Sequence, residues 1–402
     1  MATTTTGDDV LDFRAMPKIE LHAHLTGSIT RRCLHEIWRD KRAKGEAEDL
    51  EDPLVVMPEG RHDHDLTSFF PLFSSYIYRL INDLPSLRRS TKQVVHDFAA
   101  DGVVYLELRT TPRGIPAAGL DKAGYVRAVL EAIAEAESEG AAAASAGGDG
   151  GGGEGGATTT TTTTRGSGIR VRLILSVDRR NSVDEAWEVL NLARTFMAGG
   201  EGAGGEKAGG VVGLDLCGDT AARCGQIAMF TPVMHAAREA GLQLTIHFAE
   251  AASTGTDEEL QTILDWRPSR LGHVIHVPDR IKEQLIAYGR GGGEGEGEGE
   301  GGRRGQPIGL ELCLSSNVQL KMIVGSFDVH HFGEWWRVQN GPVIMPCTDD
   351  VGVFESPLSN EWRLVQQYFE LTRDDITLLG RKTIDVIFGG EADKERLREI
   401  MW

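Results

Sequence analysis

Short apolar runs alternate with helical stretches along nearly the whole chain, and this alternation constrains the fold more than any other feature. The candidate strands are Lys18–Leu25, Val103–Thr110, Arg170–Val177, Val211–Leu216, Leu242–Ala249, Arg270–Ile275, Ile308–Leu314 and Val343–Thr348. Between them lie amphipathic or Ala/Leu/Glu-rich segments such as Thr91–Ala100, Lys122–Glu137, Val183–Met197, Gln226–Ala240 and Asp257–Trp266. Strands that read as near-continuous apolar runs belong to parallel sheets covered on both faces. Eight such βα units predict an α/β fold, a (β/α)8 barrel of the TIM type. A doubly wound open sheet would alternate in the same way, so the placement of polar residues has to decide.

Three segments interrupt the pattern without changing it. Residues 138–168 run through alanines and glycines into threonines, 198–210 are Ala/Gly-rich, and 290–306 carry a Gly-Glu repeat. Their apolar content is too low to offset the entropy of ordering, so they read as disordered surface loops. The pattern continues on either side of each, so 1–402 is expected to be one domain with a core of about 16–402. Barrels of this kind use several hundred residues as one unit.

Charge and cysteine usage narrow the function. The chain carries 42 basic and 60 acidic residues, a net charge of −18, which argues against wrapping nucleic acid. A small anionic substrate stays open, because a few local donors override the global field. The five cysteines form no C-x-x-C pair and read as buried thiols of a reducing compartment. The amino terminus shows no basic and apolar signal pattern, and no run approaches the ~18 apolar residues of a membrane span. The expectation is a cytoplasmic protein, without membrane or nucleic-acid partners, and a monomer.

Polar groups collect where the candidate strands end. The first ends in His22-Ala23-His24, the fourth in Asp215-Leu216-Cys217-Gly218-Asp219 and the fifth in His247-Phe248-Ala249-Glu250. The sixth carries Gly272-His273 and the eighth ends in Thr348-Asp349-Asp350. In a barrel, that end builds the active site. His22 and His24 are two apart, so on a strand they share a face. The pair alone fits a metal or a structural role equally well; His247 and Asp349 at equivalent strand ends favour the metal. Three imidazoles and a carboxylate suit Zn²⁺, with one position left for water. Glu250 reads as a proton-passing carboxyl or as a helix-terminal charge. His273 reads as a residue that orients or deprotonates water, or as a hydrogen-bonded core histidine. Adjacent Asp349 and Asp350 repel unless a cation neutralises one. His62 and His64 fall in a polar loop, and His330-His331 are expected to cap or pack a helix. No P-loop, dinucleotide fingerprint or cytidine-deaminase motif occurs.

The segments Glu20–Leu25, Leu214–Asp219, His247–Glu250, Leu271–His273 and Cys347–Asp350 resemble the adenosine/AMP deaminase family of metal-dependent hydrolases. The likeness runs in order from about Met16 to the carboxyl terminus, skipping the three insertions. Within the family, Tyr105–Arg113, Val177–Arg180, Leu310–Val318 and His330–Gly333 are most similar to the adenosine deaminase-like branch, which acts on N6-methyl-AMP. The resemblance implies one zinc per chain on His22, His24, His247 and Asp349. It implies that Glu250 protonates purine N1 and that His273 activates or orients the water. Asp350 would meet N7, the Gly218 N–H would meet N3, and His24 would sit beside the substrate. Thr110, Thr111, Pro112, Arg113 and Asp178 would line the nucleotide side, with Arg113 and the two threonines as a phosphate cradle. The chain departs from the branch at Thr26, where Asn is usual, and at Tyr78, where His is usual. Both positions bear on ribose or phosphate contacts. The implied reaction is hydrolytic deamination at C6 of a purine nucleotide, N6-methyl-AMP to IMP plus methylamine. Deamination of adenosine itself is the alternative. A related amidohydrolase is disfavoured because no lysine stands at a strand end, and a non-catalytic binding protein is disfavoured by the complete ligand set.

Overall fold

The structure, a computed structural model, describes residues 11–60, 65–146, 168–197, 210–223, 225–289 and 307–401. Its strands are β1 (Lys18–His24), β2 (Val103–Thr110), β3 (Arg170–Asp178), β4 (Val211–Cys217), β5 (Gln243–Phe248), β6 (Arg270–His273), β7 (Gly309–Leu312) and β8 (Val343–Pro346). They form one eight-stranded sheet in sequence order, every neighbouring pair parallel. A parallel bridge joins Ala23 to Asp349, beyond the end of β8. There the His24 amide donates to the Asp349 carbonyl at 2.9 Å, and the Asp349 amide donates to the His22 carbonyl at 2.7 Å. The sheet is therefore a (β/α)8 barrel of the TIM type, and an open doubly wound sheet is excluded.

Alternation along each strand sorts its side chains. Leu106 and Leu108 of β2 face the apolar shell under the helices, while Tyr105, Glu107 and Arg109 face inward. The interior holds a buried charge network instead of the usual branched aliphatics. Arg270 donates to Glu107 at 2.6 Å and to Glu311 at 2.5 Å, and Arg109 donates to Glu311 at 2.9 Å. Removing one member would leave an uncompensated buried charge. The carboxyl-terminal segment closes the far end: Val386 accepts from Arg270, and Ile384, Ile387, Leu397 and Met401 pack on Ile19, Tyr105 and Val343.

Several boundaries differ from expectation for local reasons. The helix Lys122–Ala146 extends nine residues into the 138–168 segment, which corrects the reading of its start as a disordered loop. Alanines have the highest helix propensity, and Glu139 meets Lys92 at 2.5 Å and His96 at 3.0 Å on the neighbouring helix. The helix before β2 begins at Leu84, capped by Asp83, and not at Thr91. β6 stops at His273 because His273 and Val274 turn to positive φ, 64° and 58°. β7 stops at Leu312, ahead of the helix Leu314–Gln319. The segments 290–306 and 198–209, together with His62, His64 and Cys224, lie outside the described residues. Among those described, no helix is long and apolar enough to cross a membrane.

Candidate active site

Residues remote in sequence meet where β1, β5 and β8 end. One ligand atom each of His22, His24, His247 and Asp349 lies within 4.8 Å of the others. Their neighbours decide which imidazole nitrogens carry lone pairs. His22 Nδ1 lies 2.7 Å from Glu311 Oε2, and His247 Nδ1 lies 3.0 Å from Asp215 Oδ1. A carboxylate only accepts, so both histidines carry their proton on Nδ1 and turn an Nε2 lone pair into the shared space. Both carboxylates stay ionised. Burial alone would raise them, but Arg109 with Arg270 outweighs it at Glu311, and His247 with Arg109 outweighs it at Asp215.

Those lone pairs have nowhere to go within the protein. His22 Nε2 is buried without a hydrogen-bond partner, and His24 Nε2 and His247 Nε2 approach to 3.2 Å. Asp349 Oδ1 lies 3.6 Å from His22 Nε2 and 3.4 Å from His24 Nε2. Converging acceptors in a buried space fit a divalent cation, and these residues would hold one. Asp349 reaches its place through a left-handed backbone, φ 64°, which costs energy in a non-glycine residue and is characteristic of functional sites. Gly272 makes room for the His22 ring, since a Cβ there would lie 2.7 Å from His22 Cε1. His22, His273 and Cys313 also lie within 4.8 Å of one another, and burial raises the Cys313 thiol well above its ordinary value.

Three titratable groups flank the cluster. Burial pushes the Glu250 carboxyl up to about 7, which keeps a proton available near neutrality. His273 lies with Nε2 3.7 Å from Glu250 Oε1, and that nitrogen has no hydrogen-bond partner. Burial and the charge of Asp349 raise Asp350 well above the carboxylate range, so it is a donor while Asp349 stays ionised. Gly27 backs Asp350 so closely that any Cβ would overlap its carboxyl.

A cavity opens over this cluster. His24, Thr26, Tyr78, Thr110, Thr111, Asp178, Gly218, His247, Glu250, Asp349 and Asp350 line it, all of them expected from the sequence. Gly218, at φ 102°, passes so near the Asp178 carboxyl that a Cβ would lie within 2.8 Å of it. Pro112 and Arg113, also expected on the nucleotide side, are not among the described residues that line this cavity. The Arg113 guanidinium turns onto the Tyr78 and Tyr125 rings, 4.7 and 5.7 Å from their centroids, and donates to the Ile81 carbonyl. Two guanidinium groups do line the cavity, Arg109 from the barrel interior and Arg180, the latter held by two bonds to Asp178 at 2.6 and 2.8 Å. Phe69, Phe70, Phe73 and Ser74 line the wall beside Tyr78. Sequence reasoning missed them because their segment carries no strand signal and no chemically distinctive residue.

The adenosine deaminase family model matches residues 17–401. The chain is 33% identical to the N6-mAMP deaminase of Arabidopsis thaliana over 387 residues, 96% of each protein. It is also 33% identical to the N6-methyl-AMP deaminase of Homo sapiens, over 96% of this chain and 93% of that protein. The crystal structure of Arabidopsis ADAL complexed with IMP superposes with a TM-score of 0.75 at 31% identity, covering 97% of each chain. Fold, ordered site residues and near full-length likeness agree, and the chain belongs to the adenosine deaminase family.

Proposed function

We propose that this enzyme hydrolyses N6-methyl-AMP to IMP and methylamine, with one zinc ion held by His22, His24, His247 and Asp349. The observation that carries the chemistry is the convergence of the His22 and His247 lone pairs with Asp349, beside a Glu250 that holds a proton near pH 7. Zinc, when bound, lowers the pKa of a coordinated water and so supplies a nucleophile at neutral pH. Attack at C6 breaks the aromaticity of the ring, and Glu250 supplies the proton that N1 then needs. His273 orients the attacking oxygen from the other side of Glu250. Asp350, held protonated, donates to the purine N7 acceptor. The Gly218 N–H meets N3, and closure of the C6 carbonyl expels methylamine as the proton of the added hydroxyl passes to the departing nitrogen.

Nucleotide preference rests on the other end of the cavity. Thr26, two residues after His24, is a hydroxyl that hydrogen-bonds with Tyr78, so no carboxylate repels a 5′-phosphate there. Arg180 brings a guanidinium to the same cavity, and Thr110 and Thr111 line it too. The relatives named for N6-methyl-AMP and the IMP complex support the same substrate class. The reading takes the enzyme as a monomer of the cytoplasm, in keeping with the buried free thiols Cys33, Cys217, Cys313 and Cys347. The test offers purified protein AMP, N6-methyl-AMP, adenosine and N6-methyladenosine and follows release of IMP or inosine. Fastest turnover is expected on N6-methyl-AMP. Faster turnover of adenosine would replace the nucleotide reading with an adenosine deaminase.

A further inference from the structure

His330 and His331 have no part in the chemistry above, yet His331 bonds to His273 directly and His330 does so through Asn317. A backbone amide sets the direction of the chain of bonds, because it can only donate. Phe332 N donates to His330 Nδ1 at 3.0 Å. Nδ1 therefore carries the lone pair, and the proton of neutral His330 sits on Nε2. That nitrogen lies 3.1 Å from Asn317 Oδ1. The contact orients the amide, with its oxygen toward His330 and Nδ2 toward His273 Nδ1 at 3.0 Å. An amide nitrogen has no lone pair to offer, so His273 Nδ1 accepts. The His273 proton is left on Nε2, the nitrogen that faces Glu250. His273, Asn317 and His330 are all buried, so water does not compete for these bonds.

His331 acts on the same residue through its backbone. Its Nε2 lies 2.6 Å from the His273 carbonyl and must donate to it. That peptide leads from His273 at φ 64° into Val274 at φ 58°, a left-handed pair that a β-branched residue rarely adopts. The two adjacent histidines thus hold one residue, His331 by its main chain and His330, through Asn317, by its ring.

We propose that Asn317 and His330 are positioning residues that lock His273 in the Nε2–H tautomer, so that it presents a donor and not a base to the attacking oxygen. This rests on the deaminase reading, and it decides between the two roles that the sequence left open for His273. In its resting state His273 has no lone pair facing the site. It stabilises negative charge developing on the attacking oxygen, as preorganised donors do in acyl transfer.

The test compares full-length, zinc-loaded variants. Asn317→Asp keeps the shape but accepts on both sides, which would move the His273 proton to Nδ1 and turn a lone pair to the site. Loss of the donor is expected to lower kcat by about 10²-fold, the scale found for removing one oxyanion donor. KM and zinc content should stay within about twofold. His330→Leu is expected to show a similar kcat loss, and His330→Gln, which restores an N–H at the Nε2 position, should recover most of it. Imidazole nitrogen NMR on ¹⁵N-histidine-labelled protein should show His273 protonated at Nε2 in the wild type and at Nδ1 in Asn317→Asp. Wild-type kcat in Asn317→Asp, or Nδ1 protonation of His273 in the wild type, would overturn the proposal. The NMR readout uses no substrate, so a wild-type protein that failed to deaminate any purine would remove the deaminase reading and leave the tautomer assignment standing.

Discussion

Glu250 Oε1 lies 3.7 Å from His273 Nε2, and both residues are buried. In the proposed reaction the carboxyl supplies a proton, and the imidazole faces the same space. Glu250→Gln keeps size and polarity but cannot deliver the proton. The variant is expected to retain its metal and to lose at least ~10²-fold in kcat, the usual scale for general acid–base catalysis. Metal analysis and steady-state kinetics on the same preparation check this. Near-normal turnover would leave Glu250 only a charge at a chain turn.

The ligand set makes a stoichiometric prediction. About one zinc per chain is expected, and His24→Ala should lose both metal and turnover. Elemental analysis before and after chelator treatment, with activity followed on re-addition of zinc, measures it. Full activity in metal-free protein would refute the assignment.

Substrate choice is predicted to turn on Thr26 and Arg180. Thr26→Asp would place a carboxylate near a 5′-phosphate and repel it by about 1 to 4 kcal/mol at ~4 Å, depending on the effective dielectric. Arg180→Ala removes a guanidinium that lines the cavity and leaves Arg109 in the barrel interior. Both should raise KM for N6-methyl-AMP far more than for N6-methyladenosine. Arg113→Ala is expected to act through Tyr78, whose ring it covers, and to lower melting temperature more than it changes the nucleotide-to-nucleoside ratio. Equal effects of Arg180→Ala on both substrates would assign the phosphate elsewhere.

Stability should carry a pH signature from Glu361, a buried carboxyl that accepts from Ser315 N at 3.1 Å and from Ser356. Burial raises its pKa from 4.5 to about 7. The neutral form is the one the fold favours, so its contribution is fully present below about 4.5 and is lost as pH rises through about 7. Denaturant unfolding of wild type and Glu361→Gln should differ by a slope of at most about 1.4 kcal/mol per pH unit across that window. Parallel stability curves would mean that Glu361 does not titrate there.

Much of the site was legible because strand periodicity is local. His22 and His24 share a face by their spacing of two, and Asp215, His247, His273 and Asp349 stand out as polar groups ending apolar runs. The strand Val103–Thr110 could be read to the residue for the same reason. Phe69, Phe73 and Arg180 were not legible, because an aromatic or an arginine off the strands looks the same whether it lines a cavity or covers a surface. Nor was the helical start of the 138–168 segment, where alanines that read as filler continue a helix paired through Glu139.

The strands themselves, the faces their side chains share and the residue types able to bind a metal were determined by the sequence alone, since each depends on periodicity within a few residues, whereas closure of the barrel is a contact between β1 and the exit of β8. Only the tertiary structure decided what each group does. The proton on His22 Nδ1 is held by Glu311, 289 positions away, and the proton on His273 Nε2 by a backbone amide two hydrogen-bonded side chains removed. Arg113 and Arg180 are equally charged, and packing against Tyr78 or pairing with Asp178 determines which one reaches the cavity. Tautomers, cavity-facing cations and left-handed strand exits all follow from contacts between elements, and those contacts exist only once the barrel has closed Ala23 onto Asp349.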